Sequence, residues 1–97
     1  MGVSDALWEI ETAIQDAFAN PTDEFERQTA QSRRSVYEQT LADVDRIAGS
    51  EAMYTLSRWI KREIKTAGRL PASHEVRQVG TEICRRTTPP GSSPPEL

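Results

Sequence analysis

Hydrophobic side chains recur every three or four residues along most of the chain, which is the spacing of one face of an α-helix. In the first such stretch the apolar positions are Leu7, Ile10, Ile14, Ala17 and Phe18. Asn20 and Pro21 end the stretch, because the residue before a proline is driven out of the α-helical region. The spacing therefore predicts a helix over residues 5–19, with Ser4 or Asp5 as its N-terminal cap.

The second periodic stretch starts polar and becomes amphipathic. Its first third offers only Phe25 and Ala30 to a core, whereas the later apolar positions spread over roughly 140° of the helical surface. A face that wide indicates contact with two neighbouring helices. Gly49 suits the position just beyond a helix C-terminus, so the pattern predicts a helix over residues 23–48. Residues 22–35 within it are either helical or an overhanging loop.

Two shorter amphipathic stretches follow and predict helices over residues 51–67 and 74–86. Gly68 suits the end of the first, and Pro71 in the short link prevents the two helices from joining. Their apolar stripes consist of Met53, Leu56, Ile60, Ile64 and Ala67, and of Val76, Val79 and Ile83. Because no stretch alternates as a strand does, the predicted fold is all-α, a small four-helix domain over residues 1–86.

The remaining residues, 87–97, contain four of the six prolines and predict a disordered Pro-rich tail. A length of 97 residues corresponds to one domain, and a charged fraction of 28% with a hydrophobic fraction of 36% is typical of a soluble protein. No apolar run approaches the roughly 18 residues that a membrane-spanning helix needs. We therefore expect a protein of the cytoplasm that does not insert into a membrane.

The sequence offers few residues that could carry out catalysis. Cys84 and His74 are the only cysteine and the only histidine, and ten residues separate them on one predicted helix, about 15 Å along its axis. They cannot form a nucleophile–base pair within one chain. No metal-binding, phosphate-binding or paired-carboxylate motif is present. We therefore expect a protein that is not an enzyme, with no metal, no cofactor and no small-molecule substrate, and with Cys84 as a buried thiol.

The net charge of −3 is the sum of two opposite halves. Residues 1–51 carry four arginines against eleven acids, a net −7, and residues 52–97 carry eight basic side chains against four acids, a net +4. Such a split is typical of a protein that presents a cationic face to an anionic partner, although the two halves can also neutralise each other.

The cationic positions of the second half fall on the outer faces of the last two predicted helices. Basic residues of the third helix, opposite its apolar stripe, suit contacts to phosphates: Arg58, Lys61, Arg62, Lys65 and, just past its end, Arg69. The fourth helix carries residue types that contact phosphates or base edges: Arg77, Gln78, Thr81 and Arg85. Two helices with basic outer faces and a short break between them have the layout of a helix-turn-helix.

Residues 68–80 resemble the start of many winged helix-turn-helix regulators. In those regulators a Gly-x-x-Pro lead-in with a following Ser or Thr precedes a helix of the form x-Glu-Val-x-x-x-Gly, and this chain has Gly68, Pro71, Ser73, Glu75 and Gly80 in that order. The resemblance implies a DNA-binding or transcription-associated accessory protein. The chain departs from the family because the helical period continues past residue 80, and no wing hairpin follows. The same residues are also similar to short proteins of salt-loving archaea, which imply no function.

The alternative hypothesis is a protein-interaction or structural adaptor that forms a homodimer or docks into a larger assembly. Trp8 lies about 140° from the centre of the first helix's apolar stripe, so the fold leaves it outside. Exposed tryptophans are favoured anchors of interfaces. The wide apolar face of the second helix, with Tyr37 and Leu41, also suits a partner. These three residues form the predicted protein interface.

Overall fold

The computed structural model describes residues 2–87 and contains four α-helices among them. Their bounds are Val3–Ala17 for α1, Glu24–Ala48 for α2, Ser50–Thr66 for α3 and Ser73–Thr87 for α4. A single 3-10 turn, Pro21–Asp23, precedes α2, and no strand occurs in this part of the chain. The predicted all-α fold with four helices is confirmed. The predicted tail lies outside the described residues, apart from Thr87 at the end of α4.

α2 and α3 form a central pair, with α1 on one side of the pair and α4 on the other. α1 and α4 each contact both central helices, and they have no contact with each other. The buried side chains between the helices include Leu7, Ile10, Tyr37, Leu41, Val44, Met53, Leu56, Ile60, Ile64 and Val76. The wide apolar face of α2 therefore meets three neighbours, which confirms and extends the predicted contact with two.

The helix ends differ from the prediction by one or two residues. α1 begins at Val3 and is capped by Gly2, not by Ser4 or Asp5. It ends at Ala17, because Phe18 leaves the helical geometry and turns its side chain into the core. α3 and α4 each begin one residue earlier than predicted, at Ser50 and Ser73.

Gly49 is the whole connection between α2 and α3. Its φ of 97° lies in the left-handed region that favours glycine. Its N–H donates to the carbonyl of Asp45 (3.0 Å), and its own carbonyl accepts from the N–H of Met53 (3.1 Å). One residue thus closes one helix and opens the next, as the predicted position of Gly49 requires, and Ser50 is the first residue of α3.

The polar first third of α2 is helical because its arginines bind backbone carbonyl groups of both longer links. Arg27 donates to the carbonyls of Phe18 (2.8 Å) and Asn20 (2.6 Å), at the end of α1. Arg33 donates to the carbonyls of Leu70 (2.9 Å) and Pro71 (3.3 Å), between α3 and α4. These carbonyls need donors once the links are held against the protein. The polarity that left residues 22–35 ambiguous in the sequence is therefore the reason that they are ordered.

Tyr37 and Leu41 belong to the core and not to an interface. Their side chains are 1% and 0% exposed, because α1, α3 and α4 together cover the apolar face of α2. The hydroxyl of Tyr37 donates to the carbonyl of Pro71 (2.6 Å), and burial raises the pKa of Tyr37 above its ordinary value. The prediction that these two residues contact a partner protein is wrong for the folded chain.

Phe25 also differs from the prediction, which assigned it to the core. Its side chain is 76% exposed. The first turns of α2 pack on α1 through the side that carries Arg27 and Ala30, and Phe25 lies about 140° or more from that side around the helix. No hydrophobic neighbour is therefore available to cover the ring.

We predict that Tyr37→Phe lowers the free energy of unfolding by about 1–2 kcal/mol, because the buried carbonyl of Pro71 then loses its shortest donor. Urea denaturation of the parent and the variant measures this difference. Tyr54→Phe is the matched control, since Tyr54 is only partly buried and packs at the edge of the core. Equal stability of parent and Tyr37→Phe would contradict the assigned hydrogen bond.

Candidate interaction surfaces

The predicted nucleic-acid residues include several cations that are already paired within the protein. Lys61 on α3 lies 2.9 Å from Glu9 of α1, and Arg85 lies 3.7 Å from Glu82 on its own helix. Arg69 contacts Glu75 and lies 3.7 Å from Glu63. These three cations are partly neutralised before any partner arrives. Among the predicted nucleic-acid residues, the exposed cations without a carboxylate within 4 Å are Arg58, Arg62, Lys65 and Arg77.

The carboxylate of Glu75 organises the start of α4. It accepts hydrogen bonds from the Arg69 guanidinium and from the N–H of Ala72 (3.1 Å). These hydrogen bonds, the one from Arg69 first, lower the pKa of Glu75 from 4.5 to about 2. An acidic side chain at this position also interacts favourably with the positive end of the helix. Arg69 therefore serves the fold, and its predicted role as a phosphate contact would require it to leave two carboxylates.

Three cations on α3 form one continuous stripe, which we call the α3 stripe: Arg58, Arg62 and Lys65. At 100° per residue they lie within about 60° of one another around the helix and span about 10 Å along it. All three are exposed. They point away from the buried side chains of α3, as the sequence predicted for this part of the basic face.

The predicted residues of α4 do not extend the α3 stripe. Ile83 lies in a depression beside Ala52 and Thr55, so its side of α4 faces α3. Arg77 lies about 120° away around α4. It is close in angle to Cys84, whose pKa is raised by burial and secondarily by the charge of Asp43 on α2.

The predicted polar residues of α4 lie on one side of that helix, within about 100° of one another around it. Thr81 uses its hydroxyl to donate to the carbonyl of Arg77 (2.9 Å), and Gln78 and Arg85 are exposed. Glu82 lies among them and is also exposed. α4 continues without a break to Thr87, past Gly80, where winged helix-turn-helix regulators turn into a separate helix.

A cleft lies between α1 and the first half of α2. Its volume is about 370 Å³. Apolar side chains line its floor: Leu7, Ile10, Ile14, Ala30 and Tyr37. Polar side chains form its rim: Glu11, Gln15, Arg27, Gln31 and Arg34. Arg34 and Glu11 form an ion pair that joins the two helices across the rim.

Trp8 stands beside this cleft. Its side chain is 66% exposed, which confirms the prediction that the fold leaves it outside. It follows Leu7 of the cleft floor and lies one helical turn before Glu11 of the rim. Sequence reasoning found the tryptophan but missed the cleft, because the cleft depends on which part of α2 packs on α1. The local signal was the basic residues Arg27 and Arg34 in the polar third of α2.

The exposed side of α1 toward α3 is acidic. Asp5, Glu9 and Asp16 lie within about 40° of one another around α1, and this helix contains no lysine or arginine. The contact between Glu9 and Lys61 shows that the acidic row adjoins the basic side of α3. An acidic row and the α3 stripe therefore run side by side on one face of the molecule.

The remaining chemistry-bearing residues are the lone cysteine and the potential metal ligands. Cys84 is buried, as predicted, and its raised pKa keeps the thiol protonated at neutral pH. Between residues 2 and 87, no group of three or more histidine, cysteine or acidic side chains is placed to hold a metal ion. No helix in this range is long and apolar enough to cross a membrane.

Comparisons with protein-family models, with curated proteins and with solved structures found no match to this chain. The likeness of residues 68–80 to winged helix-turn-helix regulators therefore stays a prediction.

We predict that stability falls as the pH is lowered from about 4.5 toward 2, because Glu75 is ionised in the folded protein over a range where the unfolded chain binds a proton. Glu75→Gln should remove part of this acid dependence. Thermal unfolding monitored by circular dichroism between pH 2 and pH 6 measures it. Glu82→Gln, on the same helix but away from Ala72 and Arg69, should keep the acid-dependent loss of the parent. An identical pH profile for Glu75→Gln and the parent would contradict the assignment.

Proposed function

We propose that this protein is a non-enzymatic interaction module that binds a protein partner through α1 and the cleft beside it. The observation that carries the proposal is the exposed Trp8 on α1, beside the rim of a cleft with an apolar floor. A tryptophan exposes a large apolar area to water when it is unpartnered, and burying that area in an interface is strongly favourable.

The Trp8 ring does not belong to the buried core of the protein. The buried side of α1 consists of Ala6, Leu7, Ile10, Ala13 and Ile14. Trp8 lies on the other side of the helix, where its backbone carbonyl accepts a hydrogen bond from the hydroxyl of Thr12 (2.9 Å). A cleft of this size accommodates one or two partner side chains, and its polar rim supplies directional contacts.

A photo-crosslinking amino acid at position 8 tests the proposal in living cells of the source organism. We expect it to form a protein adduct, whereas the same amino acid at position 25 should form none, because Phe25 is even more exposed than Trp8 but lies away from the cleft. Mass spectrometry identifies the adduct. Crosslinking at neither position, or equal crosslinking at both, would overturn the proposal. Trp8→Ala should leave the free energy of unfolding within about 0.5 kcal/mol of the parent.

A second candidate function is that of a DNA-binding or transcription-associated accessory protein. The α3 stripe favours it, because three exposed cations along about 10 Å of one helix suit successive phosphates. The remaining predicted residues support it less directly. Lys61, Arg69 and Arg85 are paired with carboxylates, and Arg77 lies on another side of the molecule.

Binding to random duplex DNA at several salt concentrations tests this second function. If the α3 stripe contacts three phosphates, the logarithm of the affinity should fall with the logarithm of salt concentration with a slope of about −2.7. Arg62→Gln should reduce the magnitude of that slope by about 1. Arg46→Gln is the matched control, since it removes an exposed cation of α2 and changes the net charge equally. Absence of binding at low salt would contradict the function.

A further inference from the structure

We infer that the partner bound through Trp8 is a second copy of this chain, and that two copies associate through the face formed by α1 and α3. This inference rests on the proposed interaction function: it keeps Trp8 as the anchor and names its partner, and the inferred interface extends from Trp8 toward α3 and not into the cleft. It is carried by the arrangement of charge on that face, which is complementary to itself.

The directions of the helices determine how such a face can pair. The contacts of Arg27 with Phe18 and of Arg34 with Glu11 show that α1 runs antiparallel to α2. The contact of Arg33 with the carbonyl of Leu70 shows that α3 also runs antiparallel to α2. α1 and α3 therefore lie side by side and point in the same direction.

A twofold axis parallel to these helices, running between them, places α1 of one copy over α3 of the other in both halves of the interface. This is the isologous arrangement of most homodimers. Because the axis is parallel to the helices, the rotation leaves the height of each residue along the helix axis unchanged, and we call this height its level. The contact between Glu9 and Lys61 shows that these two residues have the same level within one copy.

The levels bring opposite charges together across the axis. Trp8 falls midway between Arg58 and Arg62 of the other copy, so its ring is placed against one or two guanidinium groups. Asp16 falls about three residues, or roughly 4.5 Å, beyond the level of Lys65, a distance that a lysine side chain covers. Both contacts occur twice in the dimer.

The same charges argue against a nucleic acid as the occupant of this face. The acidic row of α1 adjoins the α3 stripe along its length, and a phosphate backbone laid on the stripe would approach Glu9 and Asp16. Like charges placed together across an interface are unfavourable, whereas the acidic row attracts the cations of a second copy. Charge complementarity therefore selects a second copy over a polyanion.

Sedimentation equilibrium of the full chain at low and at raised salt tests the inference. We expect a dimer at low salt that weakens as salt rises, because salt screens the exposed charges. Trp8→Ala, Lys65→Glu and Asp16→Lys should each weaken dimerisation by about tenfold or more. Phe25→Ala should dimerise as the parent does, and circular dichroism confirms that each variant is folded.

An equimolar mixture of Lys65→Glu and Asp16→Lys gives the sharpest result. In a mixed dimer one contact joins Asp16 to Lys65, and the other joins the introduced lysine to the introduced glutamate, so every pair is opposite in sign. We expect the mixture to recover an affinity within about threefold of the parent, although each variant alone is mostly monomeric. Only association between copies produces this recovery.

A monomer at every concentration, or a dimer unaffected by Trp8→Ala and by both charge reversals, overturns the inference. A monomer whose position 8 crosslinks to a different protein overturns the second copy and leaves the interaction function intact. A monomer with no adduct at position 8 overturns both. A monomer that binds duplex DNA through the α3 stripe assigns the stripe to phosphates instead.

Discussion

Hydrogen bonds from side chains of α2 to backbone carbonyl groups determine where the outer helices lie. Arg27 holds the carbonyls at the end of α1, and Arg33 and Tyr37 hold those before α4. Apolar stripes on four helices can slide against one another at little cost, whereas a half-buried carbonyl needs a donor at one position. The longest helix, α2, therefore positions its neighbours. It does so through hydrogen bonds from its polar first third as well as through packing of its apolar second half.

Because α2 is occupied by contacts with the other helices and the links, the outer sides of α1 and α3 are the surfaces proposed to contact a partner. Ion pairs between the two halves of the chain do not neutralise their opposite charges. Among the described residues, a single ion pair joins the halves, and it is formed by Lys61 and Glu9. The other charges remain in separate rows on adjoining helices. Such rows give weak attraction at any one point and strong selection of orientation over their whole length.

Local periodicity was sufficient to predict the helices, and Gly49 and Pro71 were sufficient to separate them. The side chains that meet between neighbouring helices were not predictable, because these contacts join residues that are distant in sequence. Glu9 and Lys61 are 52 residues apart, and Glu11 and Arg34 are 23 apart. The same limitation explains the residues that were misassigned, since a stripe shows that a face is apolar but not which helix covers it. The exposed position of Trp8 was predictable because a single helix determines it.

The absence of contact between α1 and α4 within the described chain separates the molecule into two parts that share a common support. Interaction free energies between distant sites without shared neighbours are close to additive. Changes on the outer side of α1 and changes on α4 should therefore accumulate independently, provided that α2 and α3 keep their packing. The surface of one outer helix can therefore change without altering what the other contributes to stability.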